Sequence, residues 1–275
     1  MHHHGSGPAG GVVVLDAVTA AALVGAGALL AVAVVRARRR GPWPAHRTAL
    51  LALGLVCVAA ALVGPLAVAA RTGSSAFTAH MAGHLLLGML GPLLIVRGAP
   101  VTLALRALPV GPARRLVRAL RSRPVRLLTH PVVAAVPATG GLWVLYGTDL
   151  LALTHTSPPV AAAVHAHVLV SGCVLTASLV GVDPDPHRAP VPLRAAVLAA
   201  SLAAHTVLAQ RLRTDPPAGV GPAEAETGAL LMLYGGEVVD VALVALVAAG
   251  WYRATAPPRV PVRARAGGTP RPAGP

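Results

Sequence analysis

The sequence predicts an all-α, polytopic transmembrane helix bundle with about seven spans, and three observations predict it. The chain has 275 residues, of which 55% are hydrophobic and only 12% charged, about half the charged share usual for soluble domains. Its mean hydropathy is +0.68. Apolar runs long enough to cross a bilayer recur along it, and the short segments between them hold almost all of the arginine. Such a chain cannot stay dissolved as a globule. The net charge of +14 does not point to nucleic acid, because the cations sit in the gaps between apolar runs.

The first run, Val12–Val35, is too long for the apolar part of a signal peptide and has no basic stretch before it, so it should remain as a helix. Asp16 lies one turn inside it. Ahead of it, residues 1–11 form a tail whose opening, Met1 to Gly7 (MHHHGSG), reads either as a shortened tag with a linker or as a native metal-scavenging run. The second run, Ala49–Ala70, carries Cys57 and Pro65. The third, Phe77–Val96, has no formal charge but holds His80, Met81, His84 and Met89.

The fourth run, Val132–Leu151, contains Pro137, and the fifth, Val160–Val182, contains His165, His167 and Cys173. The sixth, Leu193–Leu212, carries His205. The seventh, Gly228–Tyr252, follows Glu224 and Glu226 and holds Met232, Glu237 and Asp240. Prolines inside spans are tolerable where neighbouring helices absorb the freed carbonyls. Abundant Gly and Ala suit close helix contacts. The two cysteines lie in different runs with no CxxC, as small apolar residues do. Residues 12–252 thus read as one membrane domain, and residues 253–275, rich in Pro, Gly and Arg, as a disordered tail.

Orientation follows from the basic residues, every one of which is arginine. Twenty of the 23 lie in or beside the first, third and fifth connectors and in the C-terminal tail; only Arg71, Arg211 and Arg213 fall on the other side. This predicts an external N-terminus and a cytoplasmic C-terminus. Within the third connector, Gly111–Arg123 puts Leu116, Val117 and Leu120 on one side and Arg114, Arg115, Arg118 and Arg121 mostly on the other. That pattern predicts an interfacial helix on an anionic leaflet.

With this orientation the histidines separate by depth. His80 and His84 are one helical turn apart and share a face, with His84 about 10 Å below the outer end of its span at 1.5 Å per residue. His165 and His167 enter at a similar level from span five, and His205 lies about two turns below the outer end of span six. Three spans therefore carry imidazole at matching depth. Met81 stands beside the first pair, Asp16 and Glu224 lie near the same level, and Glu237 and Asp240 continue inward as a relay or a support. Imidazoles with a nearby thioether and carboxylate, and no thiolate cage, suit copper, and the thioether favours Cu(I); zinc is chemically admissible. His84 and His165 are the first choice of ligands, His80, His167 and His205 the next, and Met81 a soft auxiliary. A lone buried histidine such as His205 is more often a hydrogen-bonded structural residue, and Met89 reads as packing. No P-loop, GxSxG, HExxH or dinucleotide fingerprint occurs, so no covalent catalysis is expected.

The stretch HMAGHLLLGMLGPLLIVRGAPVTLALRALP, His80 to Pro109, resembles the His-Met-x-x-His span and Gly-Ala-Pro-Val-Thr-Leu continuation of the CtaG-type cytochrome c oxidase assembly factors. His130-Pro131, HAHVLVSG (His165 to Gly172), His205, Glu224, Gly228 and Gly236-Glu237 are similar to further positions of that family. Val168 stands where the family usually has an aromatic. The resemblance covers most of residues 75–250. It implies a multi-pass protein of the bacterial inner membrane that supplies copper to a haem–copper oxidase during assembly, with oxidase subunits and membrane lipid as partners. It also implies that His80, His84, His165, His167 and His205 are the functional histidines. Three rivals remain: a copper importer or tolerance protein using Glu237 and Asp240, a haem-binding cytochrome, which ranks below copper, and a chaperone that holds oxidase subunits without metal.

Overall fold

The structure is a computed structural model that describes residues 8–72 and 75–255. Residues 1–7, with His2, His3 and His4, and residues 256–275 of the expected tail lie outside the described residues. The described chain is helical, with no strand among the described residues. In order the helices are α1 (Pro8–Arg39), α2 (Ala45–Leu62), α3 (Pro65–Thr72), α4 (Ala76–Leu85), α5 (Gly91–Arg97), α6 (Pro100–Ala107), α7 (Val110–Leu120), α8 (Arg123–Leu128), α9 (Pro131–Ala135), α10 (Gly141–Gly147), α11 (Leu150–Thr156), α12 (Pro158–Val180), α13 (Val191–Thr214) and α14 (Pro222–Thr255). Among the described residues six helices are long and apolar enough to cross a membrane, and a bent pair makes a seventh.

That bent pair is the fourth span. The sequence reads Val132–Leu151 as one segment, but Pro131–Gly147 and Leu150–Thr156 meet at 78°. Thr148 is extended at the break, and its side-chain hydroxyl turns back to the Val144 carbonyl at 2.7 Å. The seventh span runs on as helix to Thr255, three residues past its apolar run.

The span made of α4 and α5 lies at the centre, packed against α2, α3, α12 and α14. Between its halves Leu86–Leu90 forms a π-helical turn. Pro92 explains it: proline offers no N–H to the Gly88 carbonyl four residues back, and its ring crowds that turn. The fifth span then closes directly on the widened turn, because a Cβ at Gly172 would stand 2.4 Å from the Gly88 carbonyl oxygen. A second π turn, Val136–Gly140, contains Pro137.

Two apolar cores stack along the bundle. One gathers Phe77, Met81, Tyr146, Leu208, Leu212 and Met232 near the Glu224 end. The other gathers Leu93, Leu179, Val197, Leu198, Val239 and Leu243 toward the arginine-rich end. His84 and His205 fall between them in sequence along α4 and α13. At the arginine-rich end Ala99 takes a left-handed conformation (φ 59°) and turns the chain into α6. There the Asp183 carboxylate accepts the backbone N–H groups of Val101 (3.1 Å) and Thr102 (2.7 Å) and the Thr102 hydroxyl (2.6 Å). α7 buries none of its residues and turns Arg114, Arg115 and Arg118 outward, with Leu116 and Val117 half-buried.

Candidate functional site

A pair of histidine rings forms the middle of the bundle. α4 carries His84 inward at 6% exposure, and α13 brings His205, 9% exposed, to meet it. Their ring centroids are 6.1 Å apart and their planes lie within 24° of parallel. The Nε2 atoms of both rings are buried and have no hydrogen-bond partner. Such an atom in an apolar interior costs about 1–3 kcal/mol. Glycine makes the room: a Cβ at Gly236 of α14 would lie 2.8 Å from His205 Cε1, and one at Gly88 3.3 Å from His84 Cε1. The Met89 methyl is 3.7 Å from that same Gly236 position, and Met89 lines a cavity that both rings also line.

One turn toward the Glu224 end, His80 Nε2 is 3.1 Å from the Tyr146 hydroxyl. That hydroxyl donates to Met81 Sδ at 3.8 Å, and Met81 is fully enclosed. Tyr146 stands edge-on to His80 (6.0 Å) and to His84 (6.4 Å), so one α10 side chain touches both turns of the His-x-x-x-His pair.

Three cavities follow one another past these residues. The largest, about 530 Å³, is lined by His80, Trp143, Tyr146, His155, Arg211 and Glu224. A second of about 320 Å³ shares His80, Tyr146 and His155 with it and adds His84, His165 and Asp16. A third, about 90 Å³, shares His84 with the second and adds Met89, His205, Ser171, Ser201 and Asp240. His165 thus joins His80 and His84 around the middle cavity. His167, two residues on, is exposed on α12 and lines the third cavity with His84 and His205, and its Nε2 lies 3.0 Å from the Pro137 carbonyl in the π turn. Gly141 makes that approach feasible, since a Cβ there would be 2.4 Å from the ring.

The acids take separate roles. Glu224 accepts the Phe77 backbone N–H at 2.7 Å and so holds the first turn of α4. Asp16 pairs with both terminal nitrogens of Arg71 at 2.9 and 3.1 Å. Asp240 lines the smallest cavity with the histidine pair, whereas Glu237 lies on the exposed face of α14 beside Tyr234 and Val238. Among the described residues no three His, Cys, Asp or Glu side chains form a group able to hold one metal ion. Tyr146 is not among the residues the sequence singles out, His155 is placed by it only on the outer side, and Met89 reads there as packing. Tyr146, one of three tyrosines in a chain with 3% aromatics, was the available signal.

A family model described as cytochrome c oxidase caa3 assembly factor matches residues 28–254, which include every histidine of this layer. The chain belongs to that family. It is also similar to an uncharacterised protein of Mycobacterium bovis and to one of Mycobacterium tuberculosis, each 36% identical over 188 residues, covering 64% of this chain. An uncharacterised protein of Mycobacterium leprae is 35% identical over 192 residues, covering 66% of it. The match spans only 28% of the length of each of these relatives. No solved structure matches the chain.

Proposed function

We propose that this chain serves the assembly of cytochrome c oxidase in the bacterial plasma membrane by holding copper as cargo at the His84/His205 pair and passing it to an oxidase subunit. The observation that carries this reading is the pair of unbonded, buried Nε2 atoms on facing rings. Neutral imidazole nitrogens with a thioether beside them are a donor set for Cu(I), which accepts few ligands and soft ones. Met89 is the better placed thioether, because Met81 already accepts the Tyr146 hydroxyl. The absence of a three-residue group of His, Cys, Asp and Glu among the described residues is compatible with low-coordinate Cu(I) and argues against a closed zinc cage.

His80 and His165 then serve the approach, lining the cavities that precede the pair. Transfer proceeds by ligand exchange, with no covalent step and no catalysis by the chain. In this reading the Glu224 end faces outward and the arginine-rich end the cytoplasm. Metal analysis of detergent-purified protein lacking Met1–Gly7 tests it. The wild type retains copper, and a His84→Ala/His205→Ala variant does not. Equal copper in both rejects the site, and a Soret band in the purified protein would transfer the histidines to haem.

A further inference from the structure

We infer that the ends of α5 and α12 and the start of α13 form a binding site for the phosphate group of an anionic membrane lipid. Three spans terminate there on one spot. Arg97, the last residue of α5, donates to the Val180 carbonyl at 3.3 Å. Arg188 donates to the Gly181 carbonyl. Arg194, in the first turn of α13, donates to the Leu179 carbonyl at 2.7 Å. Three guanidinium groups therefore collar the last two carbonyls of α12 and that of Gly181, which caps it.

The helix end offsets little of that charge. A helix C-terminus carries about half a negative charge, which leaves about two and a half positive charges on the collar. Among the described residues the ion pairs are Arg71–Asp16, Arg211–Asp215 and Arg213–Glu226, and none involves this collar. The two acids of the neighbouring loop are engaged by uncharged donors: Asp183 by Val101 and Thr102, and Asp185 by the His187 backbone N–H. Arg194 is 7% exposed, and its buried Nε has no partner. A guanidinium taken out of water without an anion is costly, and a planar fork of donors matches a phosphate.

The position selects the source of that phosphate. Each arginine stands at the end of a helix long and apolar enough to cross a membrane or in the loop joining two, which is where the ends of such helices meet lipid headgroups. A lipid phosphodiester there completes the collar and is continuous with the acyl layer around α12 and α13. The site is independent of any metal at the histidines, so its failure and the failure of the copper reading are separate results.

Native mass spectrometry of the full chain with added phosphatidylglycerol, phosphatidylcholine or inorganic phosphate tests the inference. Phosphatidylglycerol is retained at least about tenfold more tightly than phosphatidylcholine, and an Arg97→Gln/Arg188→Gln variant loses about tenfold or more of that retention. An Arg97→Lys/Arg188→Lys variant, which keeps the charge but not the fork, retains more than the Gln pair and less than the wild type, and so separates lost charge from lost folding. An Arg114→Gln/Arg115→Gln variant on the exposed face of α7 binds as the wild type does. Undiminished retention by the Gln pair overturns the site, and so does an equal loss in the α7 variant, which would indicate diffuse surface charge. Displacement of the lipid by inorganic phosphate at equal concentration overturns the lipid as the ligand.

Discussion

The rings of His84 and His205 stack at 6.1 Å across α4 and α13, and each keeps its Nε2 in the protein interior without a hydrogen bond. Folding does not need that arrangement. Replacing a buried, unsatisfied polar group by an apolar one of similar size is neutral or stabilising. Metal-free His84→Leu and His205→Leu variants are therefore expected to unfold at or above the wild-type temperature, by up to about 1 kcal/mol. Copper should raise the wild-type temperature by mass action and leave theirs unmoved. A loss of more than 1 kcal/mol in the metal-free variants, read by thermal unfolding in detergent, would assign the rings to structure instead.

Gly236 supplies a steric test of the same pair. A methyl at this position would stand 2.8 Å from His205 Cε1. Alanine gains at most about 1 kcal/mol in helix propensity, while crowding a packed interior costs about 1–3 kcal/mol. Gly236→Ala should therefore destabilise slightly and lose copper, with the helix intact by circular dichroism. Gly25→Ala on α1, whose Cβ would meet nothing within 4 Å, should stabilise and keep the metal. Full copper retention by Gly236→Ala would mean that the ring position does not matter.

Much of this geometry was legible in the sequence, and what was not has identifiable causes. Span existence follows from apolar length, and the shared face of His80 and His84 follows from helical period alone. Which histidine meets His84 depends instead on how spans pack. His205 reaches it through the room at Gly236, while His165 stays across the middle cavity. His167 is placed by the π turn at Pro137, whose carbonyl its Nε2 approaches at 3.0 Å, and periodicity cannot foresee a change of helical pitch. The break at Thr148 was hidden because Gly147, Thr148 and Asp149 interrupt the apolar run only briefly.

Glu224 reaches across 147 positions of sequence to the Phe77 backbone N–H, at 2.7 Å. A carboxylate on the first turn of a helix satisfies an orphan donor and suits the helix dipole. Glu224→Ala should cost about 1 kcal/mol and Glu224→Gln distinctly less, since the amide oxygen can still accept. Equal losses, measured by thermal unfolding, would show that the side chain acts through packing alone.

Asp16 and Arg71 form a two-pronged ion pair, but the side chains are 36% and 34% exposed. Partly solvated pairs contribute about 0–1 kcal/mol, so a double-mutant cycle with Asp16→Asn and Arg71→Gln should return a coupling in that range. Because both residues line the middle cavity beside His165, neutralising them should change the salt dependence of metal uptake more than the stability. A coupling of several kcal/mol would place the pair in a far drier setting than its exposure indicates.

The orientation of the bundle rests on arginine placement and has a direct readout. A periplasm-active reporter fused after Leu151 should be active and one fused after Arg123 silent, because the seven arginines from Arg97 to Arg123 resist translocation. The same polarity puts the cavity lined by His155 and Glu224 on the outer side, where cargo would arrive, and the arginine collar on the inner leaflet, where anionic lipid concentrates. The reverse reporter pattern would turn the route of the cargo around. The ring pair and the collar would remain as structural facts, but the path from an external source to an oxidase metal centre would lose its direction.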